Sequence, residues 1–391
     1  MSIMNEYDKY IMNVYTRYPL CIARARGKYV RDREGKKYLD FFTGISVSIF
    51  GHCHPAITKA INEQAKLFLH TSNYYYTLPQ AVLAKALTGS SVKGRVFFSN
   101  SGTEANECAI KLARKWGVGR KEIIVFKNSF HGRTLGSLSA TAQAKLKKGF
   151  TPLLGGFREA VFNDLSSVKR LINKKTCAVM IEPVQGEGGI HVAGKSFMKG
   201  LANLARAKKL LLIVDEVQSG MGRTGRFWAY RHYGIKPDII TAAKALGGGL
   251  PLGATIAAGN IADVFGAGGH GSTFGGNPVC AAAGLAVVKM LDEKILANVR
   301  EKGAYFLKKL EALKSKYPSK IKEVRGLGLM LGMELKPGID GKKVVLACLK
   351  EGVLLNCIQE NVIRFLPPLH ITRGDIDRVT GVLEKIIGRQ K

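Results

Sequence analysis

Two reactive groups stand at the ends of two apolar runs in the stretch LLLIVDEVQSGMGRTGRFWAYRHYGIKPDIITAAKALGGG, residues 210–249. The run 210–214 stops at Asp215 and Glu216, and the run 239–243 follows a Pro-Asp turn and stops at Lys244, before three glycines release the chain. Continuous apolar runs of this length predict strands buried on both faces. Open α/β sheets place ligands at the carboxyl ends of such strands. An acid and an amine side by side there suit a cofactor with a basic ring nitrogen and an aldehyde, because the carboxylate holds the nitrogen protonated and the amine forms a Schiff base. Pyridoxal phosphate has that chemistry. Taken alone, the stretch also fits a strand ending in two acids and one solvated lysine among many.

The elements that would complete such a site lie on either side. In RVFFSNSGTEANECAIKLARKW a short strand, 96–98, leads through Ser99, Asn100, Ser101, Gly102 and Thr103 into a helix with Ala105, Cys108, Ala109, Leu112 and Trp116 on one face. Free backbone N–H groups at that helix start form a phosphate seat. An ordinary cap, Ser101 with Glu104 or Thr103 with Asn106, would look much the same. NSFHGRTLGS follows the run 123–126; its Phe130 offers a flat face to a ring and its Arg133 a fork for a carboxylate. The run 177–181 ends in Glu182-Pro183, and VQGEGGI then carries Glu187 between glycines. By residue type Glu187 is either a solvated loop acid or a movable partner for an arginine. Ser272 and Thr273 precede another Gly-Gly and a small-residue helix at 278–291. His52 and His54 lack a third ligand nearby, so loop or helix-cap roles are expected for them and no metal site is expected.

The chain outside this region divides in texture. Residues 1–45 read as an extended lead-in containing a hairpin, GKYVRDREGKKYLDFF, around an Arg-Glu-Gly turn. From 292 onward the chain is Lys-rich and helical, then alternates as strands around glycines and ends in a helix, a smaller α+β unit expected to pack with 1–45. The expected division is therefore 1–45 and 292–391 as one small domain and 46–291 as the large one.

At 391 residues, 46% hydrophobic and 23% charged, the composition is globular. Seven scattered cysteines without a C-x-x-C pair suit a reducing compartment, the start of the chain is polar, and no apolar run approaches bilayer length. A cytosolic, soluble protein with no membrane partner is expected. Lys+Arg number 60 against 29 Asp+Glu, a formal net charge of +31. Nucleic acid would be one partner for such a surface, but the basic residues form no run of five or six and no aromatics interleave with them, which disfavours that function.

Eight motifs in order, GHCHP, NSGTEAN, FHGRT, EPVQGEGG, DEVQSGMGRTG, AKALGGGLPLGA, STFGGNP and VIRFLPPL, span nearly the whole chain. Together they make it similar to the class III, fold-type I pyridoxal-phosphate aminotransferases, with the acetylornithine-handling members most alike. The resemblance implies an α/β fold: a large domain on a mostly parallel sheet flanked by helices, with a small domain from both termini, assembled as a homodimer. It implies Lys244 as the Schiff-base lysine, Asp215 as the acid on the pyridine nitrogen, Gln218 near the ring hydroxyl, Phe130 as the stacking ring, and Gly102 with Thr103 as the phosphate seat. Thr273 would be a phosphate ligand donated to the neighbouring subunit's site, which makes the active site shared. Arg133, with Ser272 beside it, would take the donor's α-carboxylate, and Arg364 the carboxylate of 2-oxoglutarate or glutamate, with Glu187 as its gate. The implied reaction moves the terminal amine of N2-acetylornithine to 2-oxoglutarate by a ping-pong mechanism. Ornithine, succinylornithine, 4-aminobutyrate and carrier-linked lysine or ornithine are the alternative donors, the last because an acidic carrier protein would suit the basic surface.

Overall fold

The uninterrupted apolar runs form the middle of a seven-stranded sheet, in the order Gly94–Ser99, Gly253–Ala258, Ile239–Ala242, Leu211–Asp215, Thr176–Ile181, Glu122–Phe126, Phe157–Ala160. The structure is a computed structural model describing residues 3–390; residues 1–2 and 391, the outer ends of the expected small-domain segments, lie outside the described residues. Every residue of Thr176–Ile181, Leu211–Asp215 and Ile239–Ala242 is buried, as strands covered on both faces must be. All neighbours run parallel except Gly253–Ala258, which is antiparallel to both of its partners. The connection 243–252 is too short for a helical crossover, so the chain returns in the opposite direction.

Strands from the two ends of the chain share a sheet. Lys37–Asp40 pairs antiparallel with Tyr29–Asp32, the hairpin expected from the sequence, and parallel with Val353–Leu354. Lys28 Nζ donates to Asp375 Oδ2 at 2.6 Å, tying the lead-in to the final helix, Arg373–Gly388, whose start carries a Thr372–Asp375 capping box. A second antiparallel sheet runs Ile321–Leu327, Met330–Leu335, Val362–Phe365, Asn356–Ile358, with the helix Glu293–Lys316 packed along its first two strands. One apolar cluster extends from Leu39 and Phe41 through Val214 and Ile240 to Phe365 and Ile387. Among the described residues, no helix is long and apolar enough to cross a membrane.

Beside the site lies a left-handed turn, with φ of 49° at Thr43, 61° at Gly44, 65° at Ile45 and 63° at Ser46. Three of these four residues are not glycine, and two of them, Thr43 and Ile45, are β-branched, so they do not hold that conformation unaided. Arg223, fully buried, anchors it: Nε donates to Ser46 Oγ at 2.8 Å while Nη1 donates to the carbonyls of Leu329 at 3.2 Å and Pro367 at 2.5 Å. The turn packs against Lys244–Gly247. Burial pushes the Arg223 pKa down to about 9.

Candidate active site

Strand register brings the two reactive groups together. Asp215 is the parallel partner of Thr241, so Lys244 follows three residues beyond Asp215's neighbour, and Glu182 follows the next strand over, Thr176–Ile181. Asp215 is buried and fully engaged: Oδ2 accepts from Asn106 Nδ2 and from His131 Nδ1, each at 2.8 Å, and Oδ1 accepts from the Val217 amide at 3.0 Å. Burial alone would lower the His131 pKa; its hydrogen bond to Asp215 and the charges of Asp215 and Glu182 outweigh that and raise it. Lys244 sits in a left-handed conformation, φ 49°, and no hydrogen bond or ion pair engages its Nζ among the described residues. Burial, helped by Arg364, lowers its pKa against the opposing pull of Glu187, Asp215 and Glu182.

The two acids at the end of the Leu211–Asp215 strand have different surroundings. Glu216 is turned away from Lys244: Oε1 accepts from the Tyr230 amide at 2.7 Å and Oε2 from Ser219 Oγ at 2.8 Å, capping the turn Ala229–Tyr233. Burial pushes its pKa from the usual 4.5 up to about 7, only partly offset by those bonds. An acid with a raised folded-state pKa holds its proton in the fold where the unfolded chain has lost it, so stability falls as pH rises from 4.5 through about 7. Glu216→Gln keeps both bonds without the charge. Melting curves should show the variant matching the parent near pH 4.5 and exceeding it by about 3 kcal/mol above pH 7; a difference independent of pH would refute the assignment.

At the expected phosphate seat, the helix Gly102–Trp116 begins with Ser101 as its cap, Oγ accepting from the Glu104 amide at 3.3 Å, so capping does occur there. A Cβ on Gly102 would lie 2.6 Å from Val217 Cγ1, which explains the glycine. The Thr103 hydroxyl, however, is committed to the neighbouring loop: it lies 2.5 Å from Ser137 Oγ and 2.9 Å from Thr134 Oγ1 and accepts from the amides of Arg133 at 3.2 Å and Thr134 at 3.3 Å. What this helix start offers an anion is therefore its backbone N–H groups, and the Thr103 hydroxyl ties it to the Arg133 loop. Arg133 is exposed, its guanidinium 5.7 Å from the Phe130 ring centre, and the Phe130 amide donates to Glu182 Oε2 at 3.0 Å.

Arg364 is 1% exposed on Val362–Phe365. Its Nη1 donates to Glu187 Oε1 at 2.5 Å, Gln218 Oε1 at 3.1 Å and the Gly186 carbonyl at 3.3 Å, and its Nε donates to Asn356 Oδ1 at 3.1 Å. Gln218 Nε2 donates to Glu187 Oε1 at 3.1 Å, so Gln218 bridges this pair. Burial alone would raise the Glu187 pKa; Arg364 and Lys244 outweigh it and hold the carboxyl down to about 2. Of the two readings of Glu187, the structure has the arginine partner. Tyr18 is within electrostatic range of Arg364, which offsets part of the rise that burial imposes on its phenol.

Ser272 and Thr273 lie elsewhere in the chain's own fold. Ser272 Oγ accepts from the Gly275 amide at 3.0 Å and from Asn100 Nδ2 at 3.4 Å, and its carbonyl accepts from Asn73 Nδ2; none of these bonds reaches Arg133. Thr273 is exposed, as is its sequence neighbour Phe274, and Tyr74 and Tyr76, in the segment just after the Asn73 that bonds Ser272, are fully exposed. His52 bonds Asp40 Oδ2 at 2.8 Å, and His54 caps the helix Pro55–Leu67.

Sequence reasoning missed His131, Asn106, Glu182, Asn356 and Tyr18. For Asn106 a signal existed: it stands on the buried stripe of its helix among Ala105, Cys108 and Ala109, and a polar residue there needs a partner. The arrangement fits pyridoxal phosphate. An acid for a ring nitrogen stands beside buried polar atoms without partners among the described residues, His131 Nε2 and Asn106 Oδ1, while an amine of depressed pKa, a flat ring and outward backbone N–H groups complete the set.

The class-III aminotransferase family model matches residues 10–387. An acetylornithine aminotransferase of Methanocaldococcus jannaschii is 51% identical over 384 residues, 97% of this chain and 96% of that protein. Another, of Aquifex aeolicus, is 49% identical over 97% of this chain and 100% of that protein. A solved ornithine aminotransferase from Toxoplasma gondii superposes with a TM-score of 0.95 at 32% identity, covering 98% of this chain and 94% of that one.

Proposed function

This chain belongs to the class-III aminotransferases, and from that membership we propose that it moves the terminal amine of N2-acetyl-L-ornithine to 2-oxoglutarate, giving N-acetylglutamate 5-semialdehyde and glutamate. It is a pyridoxal-phosphate enzyme. The donor is taken from the acetylornithine aminotransferases it resembles at 51% and 49% identity. The observation that carries the two-substrate reading is the Arg364–Glu187 pair at 2.5 Å, a buried guanidinium whose carboxylate partner can be exchanged.

Bound pyridoxal phosphate supplies an electron sink and a carbon on which an amino group can be held between substrates. Asp215, fixed by His131 and Asn106, would hold a proton on the ring nitrogen. Phe130 would stack on the ring and the N–H groups of Gly102 and Thr103 would take the phosphate, while Gln218, whose amide bridges Arg364 and Glu187, would have to give up one of those bonds to meet the ring hydroxyl. Lys244 would hold the cofactor through its amine and, once a substrate amine has displaced it, would move a proton at the substrate carbon that bears the amine; its lowered pKa makes the neutral amine available for this. Arg133 takes the donor's α-carboxylate. Arg364 takes the second carboxylate of 2-oxoglutarate or glutamate by displacing Glu187, whereas a donor with an uncharged tail leaves Glu187 in place. One pocket thus serves both halves of a ping-pong cycle.

The reading extends to a homodimer with residues 46–291 as the large domain and 1–45 with 292–391 as the small one. Thr273 and Ser272 would serve the partner's site. Supporting this, Asn73 bonds the carbonyls of Ser272 and Gly275, joining two segments that expose Leu67, Tyr74, Tyr75, Tyr76 and Phe274, an apolar patch typical of a covered surface.

The test is a titration of the purified protein, following the visible absorption of its bound cofactor as N2-acetylornithine, ornithine, 4-aminobutyrate and glutamate are added separately. Bleaching by acetylornithine and by glutamate, with recovery on 2-oxoglutarate, is expected. Bleaching by glutamate and ornithine but not acetylornithine would show the donor to be wrong while leaving transamination intact.

A further inference from the structure

The loop that carries Glu187 is held along its backbone by several elements. The Gly186 amide donates to Glu182 Oε1 at 3.3 Å, the Glu187 carbonyl accepts from Gln359 Nε2 at 2.7 Å, and the Gly189 carbonyl accepts from Arg325 Nε at 2.8 Å. A Cβ on Gly188 would lie 2.5 Å from the Asn128 carbonyl, so the loop also packs directly on backbone. Of these holds, Gln359 has a singular position. It lies in the tight turn between Asn356–Ile358 and Val362–Phe365, with φ of 47° followed by 70° at Glu360, so the hairpin that carries Arg364 also grips the backbone of Arg364's carboxylate partner. Its amide is braced from both ends: Nε2 also donates to Gln143 Oε1 at 3.2 Å, and Oε1 accepts from Lys145 Nζ at 3.3 Å.

We propose that Gln359 is a specificity-determining positioning residue, which by fixing the Glu187 backbone relative to Arg364 sets how firmly Glu187 competes with a substrate carboxylate for that guanidinium. The proposal rests on the reading of Arg364 as a carboxylate site shared by two substrates. Weakening the hold frees Glu187 to leave Arg364. A dicarboxylate then meets less competition, while a donor with an uncharged tail binds beside a buried, poorly neutralised guanidinium and loses. The two classes of substrate therefore respond in opposite directions.

Two variants test this. Gln359→Asn tolerates the left-handed turn but is one methylene too short to reach the Glu187 carbonyl; Gln359→Glu has the length but no donor. On cofactor-loaded enzyme, calorimetry with glutarate, a dicarboxylate that cannot react, should show tighter binding by about three- to tenfold, the worth of one hydrogen bond, and kcat/KM for N2-acetylornithine should fall by a similar factor. Equal weakening of both, as a purely structural role would give, or no change in either, overturns the proposal. Glu187→Gln is measured alongside and should also tighten glutarate. If it does not, the shared-site reading of Arg364 fails and this proposal with it; if it does while both Gln359 variants bind glutarate like the parent, the shared site stands and the role of Gln359 alone is refuted.

Discussion

Lys244→Ala should lower turnover by at least about a thousandfold, the combined loss of a covalent anchor and a positioned proton carrier. The fold should not register the change. Lys244 Nζ makes no hydrogen bond or ion pair among the described residues, and burial disfavours its charge by more than Glu187, Asp215 and Glu182 favour it, so removing the amine breaks no hydrogen bond and relieves a net desolvation cost. The melting temperature of the cofactor-free variant should therefore equal or slightly exceed the parent's. Single-turnover measurements with acetylornithine and thermal melts on cofactor-free protein check the two halves separately. Turnover within tenfold of the parent would remove Lys244 from the chemistry, and a large drop in melting temperature would mean that its amine has a structural partner.

What the sequence could and could not disclose follows from the range of the interactions involved. The buried strands were legible because a run apolar on both faces suits the inside of a parallel sheet, and the helix Pro278–Met290 because its small residues are continuous. The choice of Asp215 over Glu216 came from the resemblance and not from the local pattern: successive side chains leave a strand on opposite faces, so one of two adjacent acids had to face the site, and only the packing of the sheet decides which. Likewise Thr103 was expected at the phosphate seat on type and position, but its hydroxyl is held by the Arg133 loop, a contact across about thirty residues that no local pattern reveals. Gln359 lies 172 residues from the carbonyl it grips, and Arg364 lies 177 from Glu187. Those two pairings differ in how they could be approached. The Arg364–Glu187 pair was accessible through resemblance, whereas Gln359 carries no signal beyond a turn.

Arg364→Met should raise the KM for 2-oxoglutarate at least about thirtyfold, the usual consequence of removing one partner from a buried charge-assisted contact, while KM for acetylornithine changes far less because Arg133 takes that donor's carboxylate. It should also cost stability. Arg364 is the principal reason that the Glu187 carboxyl stays ionised in a buried setting, so its loss strands that charge along with Gln218 and Asn356. Breaking such a pair typically costs 3–5 kcal/mol; Glu187 keeps 26% exposure, which places the expected loss near about 3 kcal/mol. The two effects separate in the double variant Arg364→Met with Glu187→Gln. With no charge left to strand, most of the stability should return, because neutral replacements of a buried pair are tolerated far better than half of one. The use of 2-oxoglutarate should not return, because the guanidinium that recognises its carboxylate is still missing. Chemical denaturation and initial rates on the four proteins measure both terms. Recovery of 2-oxoglutarate use in the double variant would show that Arg364 acts by holding Glu187 in place and not by binding the substrate, which would move the carboxylate site elsewhere in the pocket.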